Sequence, residues 1–231
     1  MIEENYHAVE ERIAAAAVRS GRDPKEITLI AVSKTKPLSD IEKLIKIGVK
    51  EFGENKPQEL RDKYDAVSTP VHFHQIGHLQ TNKVKYVVGR SVLIHSVDSM
   101  HLAEAIEKEA EKKDLTVDVL IEVNAAEEES KFGCTLKDAK ELFFSVAKLP
   151  HLRVRGLMTI APFVDDPEEN RKVFRDMHEL LLDIKSESID NSEDINILSM
   201  GMTNDFEVAV EEGATMVRVG TAIFGERDYS V

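Results

Sequence analysis

The sequence predicts a closed parallel (β/α)8 barrel of the TIM type, preceded by one extra helix. Three observations carry this. Short apolar runs recur eight times between residues 28 and 219. They alternate strictly with helical stretches, the order that builds parallel sheets. The runs are apolar almost throughout, which suits strands covered on both faces. A doubly wound open sheet is the alternative, but it rarely fits eight units into 231 residues.

The elements follow in order. Ile2, Tyr6, Val9, Ile13 and Ala16 recur at helical spacing, and Ser20-Gly21 ends this first helix. Thr28 to Ser33 is the first strand. Ser39-Asp40-Ile41-Glu42 reads as a capping box that opens a short helix stopping at Gly48. Lys50 to Glu54 is a weak second strand. Pro57 suits the first turn of the next helix, with Leu60, Tyr64 and Val67 as its inner stripe. Val71 to Ile76 is the third strand, Leu79 to Val88 a helix, and Val92 to Val97 the fourth strand. Asp98-Ser99 caps a helix with Leu102, Ala105, Ile106 and Ala110 inward.

Val117 to Val123 is the fifth strand, and the helix after it starts near Thr135 with Ala139, Leu142, Phe143 and Val146 inward. Val154 to Ile160 is the sixth strand. Asp166-Pro167-Glu168-Glu169 starts what reads as the longest helix, with Val173, Phe174, Met177, Leu180, Leu181 and Ile184 as its stripe. Ser186 to Asp194 reads as a polar surface loop. Asn196 to Ser199 is the seventh strand, Thr203-Asn204-Asp205 caps a short helix ending at Gly213, and Met216 to Val219 is the eighth strand. The last outer helix is missing from this pattern, and the N-terminal helix would cover the surface left bare. With no linker, repeat or low-complexity tract, residues 1–231 read as one domain.

Composition narrows the function. Thirty Lys+Arg against 43 Asp+Glu give a net charge of −13, which disfavours nucleic acid and anionic membranes as partners. Hydrophobic residues make up 42%, enough for a packed core. One cysteine, Cys134, excludes an internal disulfide framework. The acidic start lacks a signal-peptide apolar core, and no run approaches bilayer length. The expectation is a reduced, cytoplasmic, soluble protein.

In such a barrel the active site lies at the C-terminal ends of the strands. The candidates are Lys34, Asn55, Gly77-His78, Asn124, Met158-Thr159, Ser199 to Met202, and Arg218 to Thr221. Lys34 ends a buried apolar strand. Either its amine is desolvated and made nucleophilic there, or it snorkels to solvent. The turns Ser199 to Asp205 and Gly220-Thr221 follow strands seven and eight, the usual phosphate site of this barrel, though ordinary turn glycines and a helix cap would read the same way. Arg218 shares a face with Gly220 by period two. It is either half of an inward salt bridge or a cation aimed at a ligand. His74 and His78 lack a carboxylate at ligand spacing, so no metal is expected. Cys134 reads as an unreactive loop or cap residue. An aldehyde-reactive lysine beside a phosphate cradle points to pyridoxal 5′-phosphate.

These residues sit in stretches that resemble a known family. The stretches are Ala31-Val32-Ser33-Lys34-Thr35-Lys36, Phe52-Gly53-Glu54-Asn55, Ile76-Gly77-His78-Leu79-Gln80-Thr81-Asn82-Lys83 and His95-Ser96-Val97-Asp98-Ser99. Further on come Glu129-Ser130-Lys131-Phe132-Gly133, Gly156-Leu157-Met158-Thr159-Ile160, Leu198-Ser199-Met200-Gly201-Met202 and Met216 to Gly225. They resemble the YggS/PROSC family of pyridoxal phosphate homeostasis proteins, which share the alanine racemase N-terminal barrel. The resemblance implies that Lys34 carries the cofactor as a Schiff base. It implies that Ser199, Gly220 and Thr221 form the phosphate turns, and that Arg218 faces the pyridine nitrogen. Asn55 and Met200 would line the pocket. Two departures are Lys56-Pro57, where many members have an aromatic and an aliphatic residue, and Gln75 in place of an apolar residue.

The resemblance implies a carrier without an established reaction, one that stores, buffers or delivers the cofactor, with apo-enzymes as recipients. The residues give a further reason. Racemisation needs an acid–base group on each face of the cofactor. In the related racemases the second comes from a C-terminal β-domain, and here Val231 follows Phe224 by seven residues. That domain also makes most of the racemase dimer, so a monomer is expected. A racemase or lyase using the same cofactor is the alternative. A sugar-phosphate isomerase is a third reading, for which only Glu54 offers a carboxylate base.

Overall fold

The computed structural model describes residues 1–128, 131–187 and 192–226. Eight parallel strands close into a barrel in chain order, β1 (Thr28–Val32), β2 (Glu51–Glu54), β3 (His72–Gln75), β4 (Ser91–Val97), β5 (Val117–Glu122), β6 (Leu152–Met158), β7 (Ile197–Ser199) and β8 (Met216–Val219). Closure is made by β8 against β1, with Ile30 opposite Arg218 and Ala31 opposite Val219. The barrel of the sequence reading is the observed fold.

The helices are α1 (Ile2–Arg19), α2 (Leu38–Lys46), α3 (Pro57–Ala66), α4 (Val84–Val87), α5 (Met100–Lys113), α6 (Leu136–Val146), α7 (Arg171–Glu187), α8 (Phe206–Glu211) and α9 (Thr221–Phe224). α1 buries Tyr6, Val9, Ile13, Ala16 and Ala17, and packs on α2, α8 and α9. α5 and α6 begin where the sequence placed their caps. Ser99 accepts from the Leu102 amide and Thr135 from the Asp138 amide.

Six local expectations are corrected. α2 starts at Leu38 behind Pro37, so Ser39 lies inside the helix and caps nothing; the fixed extended backbone of Pro37 sets the start instead. On α3, Tyr64 is 41% exposed and Lys63 is buried in its place, because the Lys63 amine finds three oxygens inside. The stretch after β3 is a 3-10 turn, Thr81–Lys83, followed by the single turn of α4. Among the described residues the longest helix is α1, 18 residues against 17 for α7, whose start is taken up by the 3-10 turn Pro167–Asn170. A one-turn helix, α9, does follow β8, and α1 packs over it. Of the expected loop Ser186 to Asp194, residues 186–187 belong to α7 and Ser192–Asp194 to a 3-10 turn; 188–191 lie outside the described residues.

The main apolar core lies between sheet and helices. A smaller cluster fills the barrel itself, with Leu93, Leu120 and Met158 at its centre and Ile160, Ile197 and Met216 around them. The interior is not wholly apolar. His74, His95, Glu122, Ser199 and Arg218 are buried there too, and burying such groups is costly unless they bond one another.

Candidate functional site

The turn that carries Lys34 is clamped from α3. Ser33 Oγ donates to Glu54 Oε1 at 2.6 Å. Lys63 Nζ donates to the Ser33 carbonyl at 2.7 Å, to Glu54 Oε1 at 2.8 Å and to Glu59 Oε1 at 2.7 Å. Glu59 Oε1 in turn accepts from the Thr35 amide at 2.6 Å. Thr35 adopts φ +64, a left-handed conformation that a β-branched residue holds only when its surroundings impose it. Lys34 sits half-buried between these two fixed residues. Burial pushes the Glu54 carboxyl up, against the pull of Lys63 and Ser33, and its Oε2 lacks a hydrogen-bond partner.

Arg218 crosses the barrel interior. Its Nη1 donates to Ser199 Oγ at 2.6 Å and its Nη2 to the Thr159 carbonyl at 2.8 Å. Burial lowers the guanidinium to about 10, with Glu122 and Asp205 drawing it back up. Glu122 is pushed up to about 7 by burial and by Asp98, with Arg218 opposing, and its Oε2 has no hydrogen-bond partner. Arg218 therefore reads as a held cation with an imperfect counter-charge, neither half of a tight salt bridge nor exposed.

The turns after β7 and β8 meet. Gly201 takes φ +91 and lies so close to α8 that a Cβ there would stand 2.6 Å from Ala209 Cβ. The Met202 amide donates to Asp205 Oδ1 at 2.7 Å, and Asn170 Nδ2 holds Asp205 Oδ2 at 2.8 Å. Thr203 Oγ1 accepts from the Ala222 amide at 3.4 Å. Gly220 packs on Val32, two residues before Lys34, where a Cβ would stand 3.3 Å from Val32 Cβ. Thr203, Gly220 and Thr221 thus share one corner beside the lysine turn.

Two expected residues lie lower than the sequence suggested. Ser199 is fully buried and its hydroxyl bonds Arg218 and His95, the latter at 2.9 Å to Nδ1. The sequence could not separate it from Thr203, four residues on in the same turn. Met200 is fully buried in the core between sheet and helices. Asn55 is half-buried at the rim, against Gly77. Gln75 Nε2 donates to the carbonyls of Asn55 and Gly77, at 2.9 and 3.0 Å, so this departure from the family pattern ties the turns after β2 and β3 together.

His74 and His78 do not converge. His74 Nε2 bonds Glu51 at 2.8 Å inside the barrel, while His78 stacks on Phe132 with ring centres 3.7 Å apart. Among the described residues no group of three His, Cys, Asp or Glu is arranged to hold a metal. Burial pushes the Cys134 thiol up to about 12, so it is unreactive at neutral pH. Sequence reasoning missed Lys63, Glu59, Glu51 and Glu122, and gave His95 no role beyond its place in a strand and a family-like stretch. An acidic residue ending an apolar strand, as Glu122 does, was the available signal.

The model of the alanine racemase N-terminal domain matches residues 5–228. The pyridoxal phosphate homeostasis protein of Aquifex aeolicus is 46% identical over 227 residues, 98% of each chain. The chain belongs to this family. Its Escherichia coli K12 member is 41% identical over 99% of this chain and 98% of its own. Among solved family structures, PipY of Synechococcus elongatus with PLP bound superposes with a TM-score of 0.80 at 32% identity, covering 94% of this chain and all of PipY. An unknown protein from Bifidobacterium adolescentis reaches a TM-score of 0.90 at 38% identity, covering 96% of this chain and 94% of its own. Alanine racemase of Clostridium difficile shares the fold at 13% identity, with a TM-score of 0.73 over 57% of its length. Family members are named for homeostasis and the fold is shared with racemases. No helix among the described residues is long and apolar enough to cross a membrane.

Proposed function

We propose that this chain binds pyridoxal 5′-phosphate in the mouth of the barrel and serves its intracellular homeostasis by storing, buffering or delivering it. The observation that carries the reading is the packing of Gly220 on Val32. It sets an anion corner beside an amine, with a buried cation beneath. That donor set fits a ligand with a phosphate, an aldehyde and a ring acceptor. When bound, the cofactor supplies an aldehyde carbon open to attack by an amine.

Lys34 is the amine we assign to it, held in place by the Ser33–Glu54–Lys63–Glu59 clamp. Gly220, Thr221 and Thr203 take the phosphate through amides and hydroxyls. Arg218 faces the ring nitrogen, and Ser199 acts from below by fixing Arg218. Asn55 lines the rim and Met200 supports the turn from within the core. An arginine at the ring nitrogen leaves it unprotonated, which weakens the ring as an electron sink and suits a carrier better than a catalyst. The name of the relatives and the PLP-bound PipY support the cofactor.

Borohydride treatment of the protein with added cofactor tests the reading. It should fix one cofactor mass on Lys34, and Lys34→Ala should abolish the product. Modification at Lys36 instead would overturn the assignment. The reading includes a cytoplasmic monomer that passes the cofactor to apo-enzymes. Stereospecific α-proton exchange from alanine in heavy water, well above the rate of free cofactor and lost in Lys34→Ala, would make the protein a racemase or lyase instead.

A further inference from the structure

Below the mouth, a line of buried side chains crosses the barrel from one end to the other. Ser199 Oγ lies 2.9 Å from His95 Nδ1. His95 Nε2 lies 3.0 Å from His74 Nδ1. His74 Nε2 lies 2.8 Å from Glu51 Oε2, and Glu51 Oε1 lies 2.6 Å from His72 Nδ1 at the N-terminal end. His95 and Ser199 are fully buried and His74 is 2% exposed, whereas the Glu51 side chain is 28% exposed.

Elimination fixes the hydrogens. A guanidinium only donates, so Ser199 Oγ accepts from Arg218. Burial, with the Arg218 cation nearby, holds His95 neutral, well below the ordinary histidine value. Glu51 is held ionised, since the hydrogen bonds from His74 and His72 outweigh the upward push of burial. An ionised carboxylate accepts, so His74 Nε2 carries hydrogen. With one hydrogen on each imidazole, His74 Nδ1 accepts from His95 Nε2, and His95 Nδ1 accepts from the Ser199 hydroxyl. Every donor points the same way, from Ser199 toward Glu51. One added proton on the Glu51–His74 pair reverses the line: His74 Nδ1 then donates to His95 Nε2, and His95 Nδ1 donates to Ser199. The Ser199 hydrogen loses its acceptor in that state.

We propose that Glu51, His74 and His95 are positioning residues for Arg218, forming a one-directional chain that keeps Ser199 oriented toward His95 and open to the guanidinium, and that a single proton entering at the Glu51 end reverses it. Glu51 on β2 faces His72 and His74 on β3 and shares a cavity with Tyr6 and Glu10 of α1 and with Lys25. Arg218 on β8 faces His95 on β4, with Glu122 on β5 and Asp205 before α8 as its carboxylates. The link from Arg218 to the cofactor rests on the proposed function; the chain itself does not.

Nitrogen-15 NMR of the histidine rings, without ligand, tests the chain. Near pH 8 both His74 and His95 should carry hydrogen on Nε2 alone. On acidification, as one proton enters at the Glu51 end, His95, still neutral, should move its hydrogen to Nδ1 with a single midpoint. Glu51→Gln should lower that midpoint by about one to three pH units, by removing an adjacent opposite charge. A His95 that holds Nδ1–H at pH 8, titrates alone, or ignores Glu51→Gln overturns the proposal. A second arm reads pyridoxal phosphate binding by absorbance at pH 8. His95→Phe should weaken it at least tenfold, and His95→Gln, which keeps a donor and an acceptor, should restore much of the loss. Unchanged affinity in a folded His95→Phe protein refutes the positioning role. Failure of the unaltered protein to take up the cofactor would refute the proposed function, and the NMR arm would still decide the chain.

Discussion

Lys63 Nζ donates to the carbonyl of Ser33 at 2.7 Å, one residue before Lys34. A buried amine on α3 therefore holds the backbone that presents the candidate nucleophile. The same amine neutralises Glu54 and Glu59.

Lys63→Met should destabilise the protein by about 3–5 kcal/mol, because it leaves buried carboxylate charge without a partner. Urea unfolding measures this. Adding Glu54→Gln should recover part of the loss, and a single-variant effect below about 1 kcal/mol would show that the clamp is not energetically coupled.

Glu122 makes stability fall as pH rises. Its carboxyl is raised from 4.5 to about 7, chiefly by burial, so the folded state binds the proton more tightly than the unfolded chain. The stability this gives is complete below pH 4.5 and is lost as pH climbs through about 7. The effect amounts to at most about 3 kcal/mol. Glu122→Gln should flatten the pH dependence of the urea midpoint between pH 5 and 8, a pH window on the order of the raised titration. Parallel curves for variant and parent would contradict it.

Thr203→Val and Thr221→Val should each weaken pyridoxal phosphate by about 1.5–3 kcal/mol, the worth of a charge-assisted hydrogen bond, and leave pyridoxal unaffected. Ser199→Ala should weaken both ligands alike, because its hydroxyl serves Arg218 and not the phosphate corner. Titrations of the two ligands side by side separate these roles. A Ser199→Ala effect confined to the phosphorylated ligand would return Ser199 to the phosphate site.

Gly77→Ala should disturb the rim. A Cβ at Gly77 would stand 2.7 Å from the Asn55 carbonyl oxygen and 2.8 Å from its Cα, both backbone atoms that cannot swing away. The expected cost is about 1–3 kcal/mol, the range for overpacking. Cofactor affinity should fall with it, and unchanged thermal unfolding would show that the rim yields freely.

The sequence by itself determined the architecture and named candidates for the mouth. Alternating buried strands and capped helices are local patterns, and a parallel sheet of eight such units has few ways to close. Once it closes, the C-terminal strand ends must share one face, so period and position sufficed to nominate Lys34 and Arg218 as candidates. Tertiary structure alone decided what those residues touch. Lys63 and Tyr64 are adjacent on α3, and only the oxygens of Glu54, Glu59 and Ser33 draw Lys63 inward. Ser199 and Thr203 look alike in a strand-to-helix turn, and only the approach of Arg218 from β8 and His95 from β4 puts Ser199 below and Thr203 beside Ala222. The line from Ser199 to Glu51 joins residues on four strands, 104 positions apart at its widest link. Hydrogen bonds of that kind depend on how strands are staggered around the barrel. Hydrophobic periodicity records which face a residue takes, and carries no information about its partner across the interior.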